Sequence, residues 1–473
     1  MTLDAIVVGA GPNGLAAAIT LARAGKSVRL YEAAPTVGGS TRSAALTEPG
    51  FTHDVCAAVH ALALSSPLLR SLPLAQHGLE LVHPPSPFAH PMDDGTAVVV
   101  HRSIAETCDA LSARDAKSYR ALTEPFVERS DDLMNALLGP LGMRHPILMA
   151  RFGRYAGQSA AGLARRMFDD ERTRALFAGL AAHSLVPLEY LATSGYALGL
   201  LIAAHAVGWP VARGGSQALA DSMASYFRSL GGEIITDHPV ESLAALPASR
   251  AVLLDVTPQQ FLRIAGDKLP SRFQKRLSRY RYGPGVFKMD WALNAPVPWR
   301  AKSCAQVATL HLGGTMAEIA AGEQASWNGH THDRPYVLVV QPSLFDATRA
   351  PAGKHTLWAY CHVPNGSTVD MRERIEAQIE RYAPGFRDCI IARSALSPAD
   401  LEQRNANLVG GDIAGGAADL AQIFARPTSI VHPYAMPVKD VYLCSSSTPP
   451  GVGVHGMCGF NAAKLALRKS LAR

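Results

Sequence analysis

The sequence predicts an α/β protein. A parallel, nucleotide-type sheet is assembled from separated stretches of chain and joined to an α+β second domain with a mixed sheet and a helical cap. Three observations carry this. The chain opens on a strand, a glycine turn, a helix and a second strand. A stretch of mainly helical periodicity follows from about 104 to 208. Glycine-turn and buried-strand patterns then return at 209–264 and again near the C-terminus. The 473 residues are enough for two to four structural units, and at 48% hydrophobic and 18% charged the chain can bury a large core.

The first element is Asp4–Val8, D-A-I-V-V, an apolar β-branched run of the kind that a parallel sheet buries on both faces. Next comes G-A-G-P-N-G, with Gly9, Gly11 and Gly14, then the alanine-rich helix LAAAITLARAG ending at Gly25, then the strand Ser27–Glu32. This is the Rossmann-type order. Gly9 permits the tight turn, Gly11 lets the backbone approach a pyrophosphate, and Gly14 lets helix and strand pack closely. Pro12 and Asn13 lie in the turn as candidate cofactor contacts, and the N-terminus of the helix that follows offers free N–H groups and a dipole that favour phosphate. Glu32 follows Gly14 by 18 residues, near the usual gap of about 20, and an acid there suits ribose hydroxyls and disfavours the 2′-phosphate of NADP.

After Glu32 and Ala33 comes the stretch Gly38, Gly39, Ser40, Thr41, Arg42, Ser43. It resembles the G-G-x-x-R-[ST] run that follows the dinucleotide fold in the glutathione-reductase-like group of flavoproteins. The resemblance implies FAD, with these glycines and Arg42 along its pyrophosphate and flavin. Residues 44–90 read as the approach to the flavin, with FTHDVCAAVHAL at 51–62. Pro-rich PPSPFAHP, 84–91, marks a boundary, and TAVVVH, 96–101, reads as a strand. Apolar GYALGLLIAAHAVGWPVA, 195–212, is interrupted by Gly, His205 and Pro210, so it reads as a buried helix and loop rather than a membrane span. WPVARGGSQALADSM, 209–223, opens a helix to Leu230, and GGEIITDHPVESL and AVLLDVTP are strands of the nucleotide sheet. FKMDWAL, PYVLVVQPSLFD and HTLWAYCHV are strands of the second domain. The Glu/Arg pairs of MRERIEAQIERYA, 371–383, read as a solvated helix face. LVGGDIAGGAADL, 408–420, reads as a loop with a short helix.

The C-terminal VYLCSSSTPPGVGVHGMCG leads into the helix NAAKLALRKSLAR. Together, GAGPNG with Glu32, GGSTR, RGGSQALAD and SSSTPPGVGVHGMCG resemble phytoene-desaturase-like FAD oxidoreductases over nearly the whole chain. Ser445 stands where the family's commonest tail pattern has glycine, and Pro449 where it has histidine. The resemblance implies a discontinuous FAD-binding domain at 1–90, 209–264 and 406–473, a helical cap at 91–208 and a mixed-sheet substrate domain at 265–405. It also implies that Val240 meets the adenine through its backbone. The turn carrying Gly451, Gly453, Val454, His455 and Met457 would pack beside the isoalloxazine ring, where the helix dipole would stabilise the anionic reduced flavin.

Other classes are disfavoured. A net charge of +6 without a dense basic block argues against nucleic acid. It is compatible with weak attraction to anionic lipid, a peripheral membrane contact. Seven scattered cysteines, none in C-x-x-C spacing, argue against a disulfide scaffold and a zinc site and for a reducing, cytoplasmic setting. The opening residues lack the basic region of a signal peptide. Nothing in the sequence sets the oligomeric state.

No catalytic triad, metal spacing or P-loop is found, so a flavin would carry the redox step. Candidate catalytic residues are Lys288 and Asp290, on one face of FKMDWAL, with a structural ion pair as the alternative. His455, in the flavin turn, has a backbone-orienting role as its alternative. Tyr360, which shares a strand face with His362, and His60 stand against plain packing. Trp209 and Trp291 read as packing or pocket wall, and Cys444 and Cys458 flank the flavin turn. The leading expectation is a dehydrogenase, desaturase or oxidase moving hydride from an apolar or lipid-like small molecule to flavin N5, with oxygen or quinone as acceptor. A polyene isomerase or saturase, and an FAD-stabilised binding protein without turnover, are the alternatives.

Overall fold

The computed structural model describes residues 3–139, 144–427 and 431–472. Its two main sheets are built from β1 (Leu3–Val8), β2 (Val28–Tyr31), β3 (Ser86–Pro91), β4 (Ala97–Val100), β5 (Glu233–Ile235), β6 (Ser249–Leu254), β7 (Gly285–Leu293), β8 (Val307–Leu312), β9 (Val337–Val340), β10 (His355–Val363), β11 (Ile390–Leu396) and β12 (Val441–Leu443).

The first sheet has the order β12-β6-β1-β2-β5, with every pairing parallel. Parallel neighbours need crossovers, and helix Pro12–Arg23 supplies the one between β1 and β2. β1 is central, so Ile6 and Val7 are buried on opposite faces, which is why its sequence is continuously apolar rather than alternating. Helices Pro12–Arg23, Gln217–Ser229 and Met457–Lys469 share one core with Val7, Leu30 and Leu253, while Ile6, Leu254, Phe261 and Leu443 form the core on the other face. Small residues permit the close crossing of the first and last helices. A Cβ on Gly459 would lie 1.8 Å from the Asn13 carbonyl oxygen, and one on Gly14 the same distance from that of Gly9.

The second sheet has the order β11-β7-β10-β9-β8-β3-β4, antiparallel except for the β8–β3 pair. One face packs Met289, Leu310, Val339 and Ala359 against helix Arg372–Tyr382. The other face turns toward helices Ala113–Val127, Pro146–Ala156, Ala160–Met167, Glu171–Ala182 and Thr193–Ala206, whose Phe126, Leu180 and Leu201 share a core with Leu338 and Val340.

Three details differ from the sequence reading. Ser86–Pro91 is not a boundary but a strand of the second sheet, because Pro87 and Pro91 fall near its ends. Glu376 is buried rather than solvated, because the fully buried indole of Trp291 donates its Nε1–H to it at 3.0 Å. The last helix starts at Met457, four residues before Asn461. Among the described residues no helix is long and apolar enough to cross a membrane.

Candidate functional site

A cavity of about 920 Å³ runs along the junction of the two sheets. That is near the upper end of the usual range of ligand pockets, about 300–1,000 Å³. Its first end is the glycine turn. Gly9, Gly11, Pro12 and Asn13 line it with Glu32, Ala33, Gly39, Ser40, Thr41, Arg42 and Val240. Gly9 has φ of +96°, a conformation that side-chain-bearing residues rarely adopt. The Glu32 carboxylate accepts from Ala10 N at 2.7 Å, from Ala34 N at 2.9 Å and from the Arg42 guanidinium at 3.0 Å. Arg42 also donates to the Thr36 carbonyl, so it braces the acid at the strand end. The C-terminal turn adds Val452, Gly453 and Val454 to the wall.

The second end is a floor made by one face of the second sheet. Period-two alternation and register bring Lys288 opposite Tyr360, Tyr360 opposite Leu338, and Trp358 opposite both Asp290 and Val340. Val286, Lys288, Thr309, Leu338, Val340, Trp358 and Tyr360 line the cavity from this face, and Val55–Leu62, Leu200 and Trp209 close it from the other side. Lys288 is buried, and burial pulls its ammonium pKa down against the pull of Asp290. Its Nζ is hydrogen-bonded to Asp290, whose other oxygen lies 3.4 Å from His53 Nδ1. Lys288 therefore reaches the cavity while Asp290 stands behind it and does not line it. Burial pushes the Tyr360 phenol upward, so it stays protonated.

The other candidates are placed as follows. His60 lines the cavity; its Nε2 is 2.9 Å from Ser216 Oγ, and burial pulls its pKa down to about 4. His455 does not line the cavity. Its Nδ1 accepts from Met457 N at 3.0 Å and its carbonyl accepts from Ser66 Oγ at 2.6 Å, an arrangement that orients the turn into the last helix. Gly14, Gly38, Gly451 and Met457 are likewise off the wall; Gly38 and Gly451 have φ of +123° and +107° and shape their turns. His362 sits behind Tyr360 with Nδ1 2.8 Å from both Glu323 oxygens. Trp209 is wall and Trp291 is core on the far face of the sheet. Cys444 and Cys458 are buried free thiols, and burial raises both pKa values, that of Cys458 to about 12.

Asp255, Asn407 and His183 are among the wall residues that sequence reasoning missed. Asp255, at the end of β6, accepts from Gly14 N at 2.8 Å, and burial raises its pKa to about 7. Asn407 donates to the Asp255 carbonyl at 2.9 Å and pins that strand end. His183 lines the cavity with Nε2 3.1 Å from His311 Nε2. No local pattern marks any of them. Among the described residues no group of three or more His, Cys, Asp or Glu could hold a metal ion.

Residues 7–72 match the model of the NAD(P)-binding Rossmann-like domain. The chain is 29% identical to pyridine nucleotide-disulfide oxidoreductase domain-containing protein 2 of Rattus norvegicus, over 98% of this chain and 93% of that protein. It is 26% identical to a phytoene dehydrogenase of Streptomyces griseus, over 95% and 92%. The structure of a putrescine oxidase superposes with a TM-score of 0.62 at 20% identity, covering both chains fully, which shows a shared fold. The resemblance to phytoene-desaturase-like oxidoreductases thus extends end to end.

Proposed function

We propose that this protein is an FAD-dependent oxidoreductase, a dehydrogenase, desaturase or oxidase of a mainly apolar small molecule, with oxygen or a quinone as electron acceptor. The observation that carries the reading is the continuity of one cavity from the glycine turn to the apolar sheet face. The residues present fit the cofactor. Asn13 Oδ1 at the turn is buried with no hydrogen-bond partner among the described residues, and a Cβ on Gly11 would lie 3.0 Å from Asp255 Oδ2, tighter than ordinary contact, so glycine at residue 11 keeps that side of the cradle clear. Gly9, Gly11 and the helix N-terminus would hold the phosphates, Glu32 the ribose, and Val240 the adenine end, as in the glutathione-reductase-like group. When bound, FAD accepts a hydride and passes the electrons on. The chain's own task is to orient the substrate and exclude water. Val286, Leu338, Val340, Trp358 and Leu200 do this with apolar surface, and Lys288, neutralised by Asp290, adds no free charge.

The test is anaerobic titration of the purified protein with NADH and NADPH while the visible spectrum is recorded. A flavin band that stays oxidised is expected. Absence of any flavin band refutes the cofactor, and rapid bleaching refutes the organic donor in favour of a nicotinamide-driven reductase.

A further inference from the structure

The sheet end of the cavity is apolar but not without hydrogen-bonding groups. His183, the first residue beyond helix Glu171–Ala182, lines it. His311 on β8 is fully buried behind it, ringed by Phe88, Trp209 and Tyr336 at 5.3–6.1 Å. Burial keeps both imidazoles neutral, with His183 pulled down to about 3 and His311 far below its ordinary value. Each ring therefore carries one N–H, and across the 3.1 Å contact one donates and the other accepts.

The direction of that bond follows from the far side of His311. Its Nδ1 is buried without a hydrogen-bond partner among the described residues. A proton there would be an orphaned buried N–H, the rarer kind of unsatisfied group. His311 therefore donates from Nε2 to His183 Nε2, and His183 carries its proton on Nδ1. That nitrogen has no hydrogen-bond partner among the described residues and belongs to a residue of the cavity wall.

Besides Asn13 Oδ1 at the glycine turn, four further wall residues keep a buried polar atom with no hydrogen-bond partner among the described residues: Thr309 Oγ1, Trp209 Nε1, Trp358 Nε1 and His60 Nδ1. Buried polar atoms ordinarily have partners, so several without one around a single cavity point to a ligand that supplies them. Among the described residues, the buried charges beside this sheet face are paired. Lys288 is paired with Asp290, Glu323 with His362, and Asp54 with Arg349.

We propose that the substrate is a neutral, mainly apolar molecule bearing a hydrogen-bond-accepting oxygen, a carbonyl, hydroxyl or ether, and that His183 holds that oxygen through Nδ1–H. His311 is the positioning residue that sets the tautomer. This rests on the reading of the cavity as the substrate site.

The experiment uses the flavin-loaded full chain and two probes on one carbon frame, limonene and its ketone carvone, followed by quenching of tryptophan fluorescence. His183→Leu is expected to weaken carvone about tenfold, the factor one hydrogen bond supplies, and limonene less than about twofold. His183→Gln, which keeps an N–H donor, is expected to recover most of the loss. Equal effects of His183→Leu on both probes overturn the proposal, as does tighter binding of perillate, the carboxylate on the same frame. The tautomer is checked by ¹⁵N NMR of labelled histidines; a proton on His183 Nε2 also overturns it. Limonene binding reports the cavity and the visible band reports the cofactor, so failure of either is distinguishable from failure of the His183 assignment.

Discussion

Replacing Asp255 by Asn should change how the proposed cofactor is held as pH rises. Asp255 lies at the glycine turn, accepts from Gly14 N at 2.8 Å and is 8% exposed. Burial, partly opposed by that N–H and reinforced by the charge of Glu32, raises its pKa from 3.8 to about 7. Because the folded pKa is raised, the stability this carboxyl contributes is complete below about pH 4 and is lost as pH climbs to about 7. The loss is about 1.4 kcal/mol per unit, or roughly 4 kcal/mol in all. Above pH 7 the site holds a carboxylate where phosphates are to sit, so binding must take up a proton or bear the repulsion. One linked proton weakens FAD binding by at most about tenfold per pH unit. The assay is fluorescence of FAD released on dilution between about pH 6 and 9. The wild type should hold FAD evenly to about pH 7 and then progressively less. Asp255→Asn, which keeps an acceptor for Gly14 N, should show no such slope and should bind up to about 100-fold tighter at pH 9. Identical pH profiles for the two proteins would refute the reasoning.

Packing and charge set two more expectations. Gly14→Ala should abolish soluble, flavin-bearing protein, because the new Cβ would lie 1.8 Å from the Gly9 carbonyl oxygen and neither backbone can yield; expression with normal flavin content would contradict this. Lys288→Met should lower stability by about 3–5 kcal/mol by stranding the buried Asp290 carboxylate, whereas the double change with Asp290→Leu should recover most of it. Thermal melts of the three proteins decide, and equal melting of both variants would show that the pair contributes little.

Much of the nucleotide end was legible in the sequence. Its signals are local: glycines at fixed spacing, a β-branched run before them, an alanine-rich helix after them and Glu32 at the next strand end, all within residues 4–32. The pairing of Lys288 with Asp290 was legible as well, since a strand's period of two is a local rule. The strand Ser86–Pro91 was not, because its prolines read as a break and only the neighbouring strands reveal a place for it.

The amino-acid order by itself thus determined the chemistry of the turn and which residues share each strand face, because backbone geometry sets these over a few residues. Tertiary structure alone decided what meets across the cavity. Asp255 reaches Gly14 over 241 residues and His183 reaches His311 over 128. The properties that matter there, a carboxyl near neutrality and a histidine with one defined proton, come from burial and from partners that no local pattern encodes.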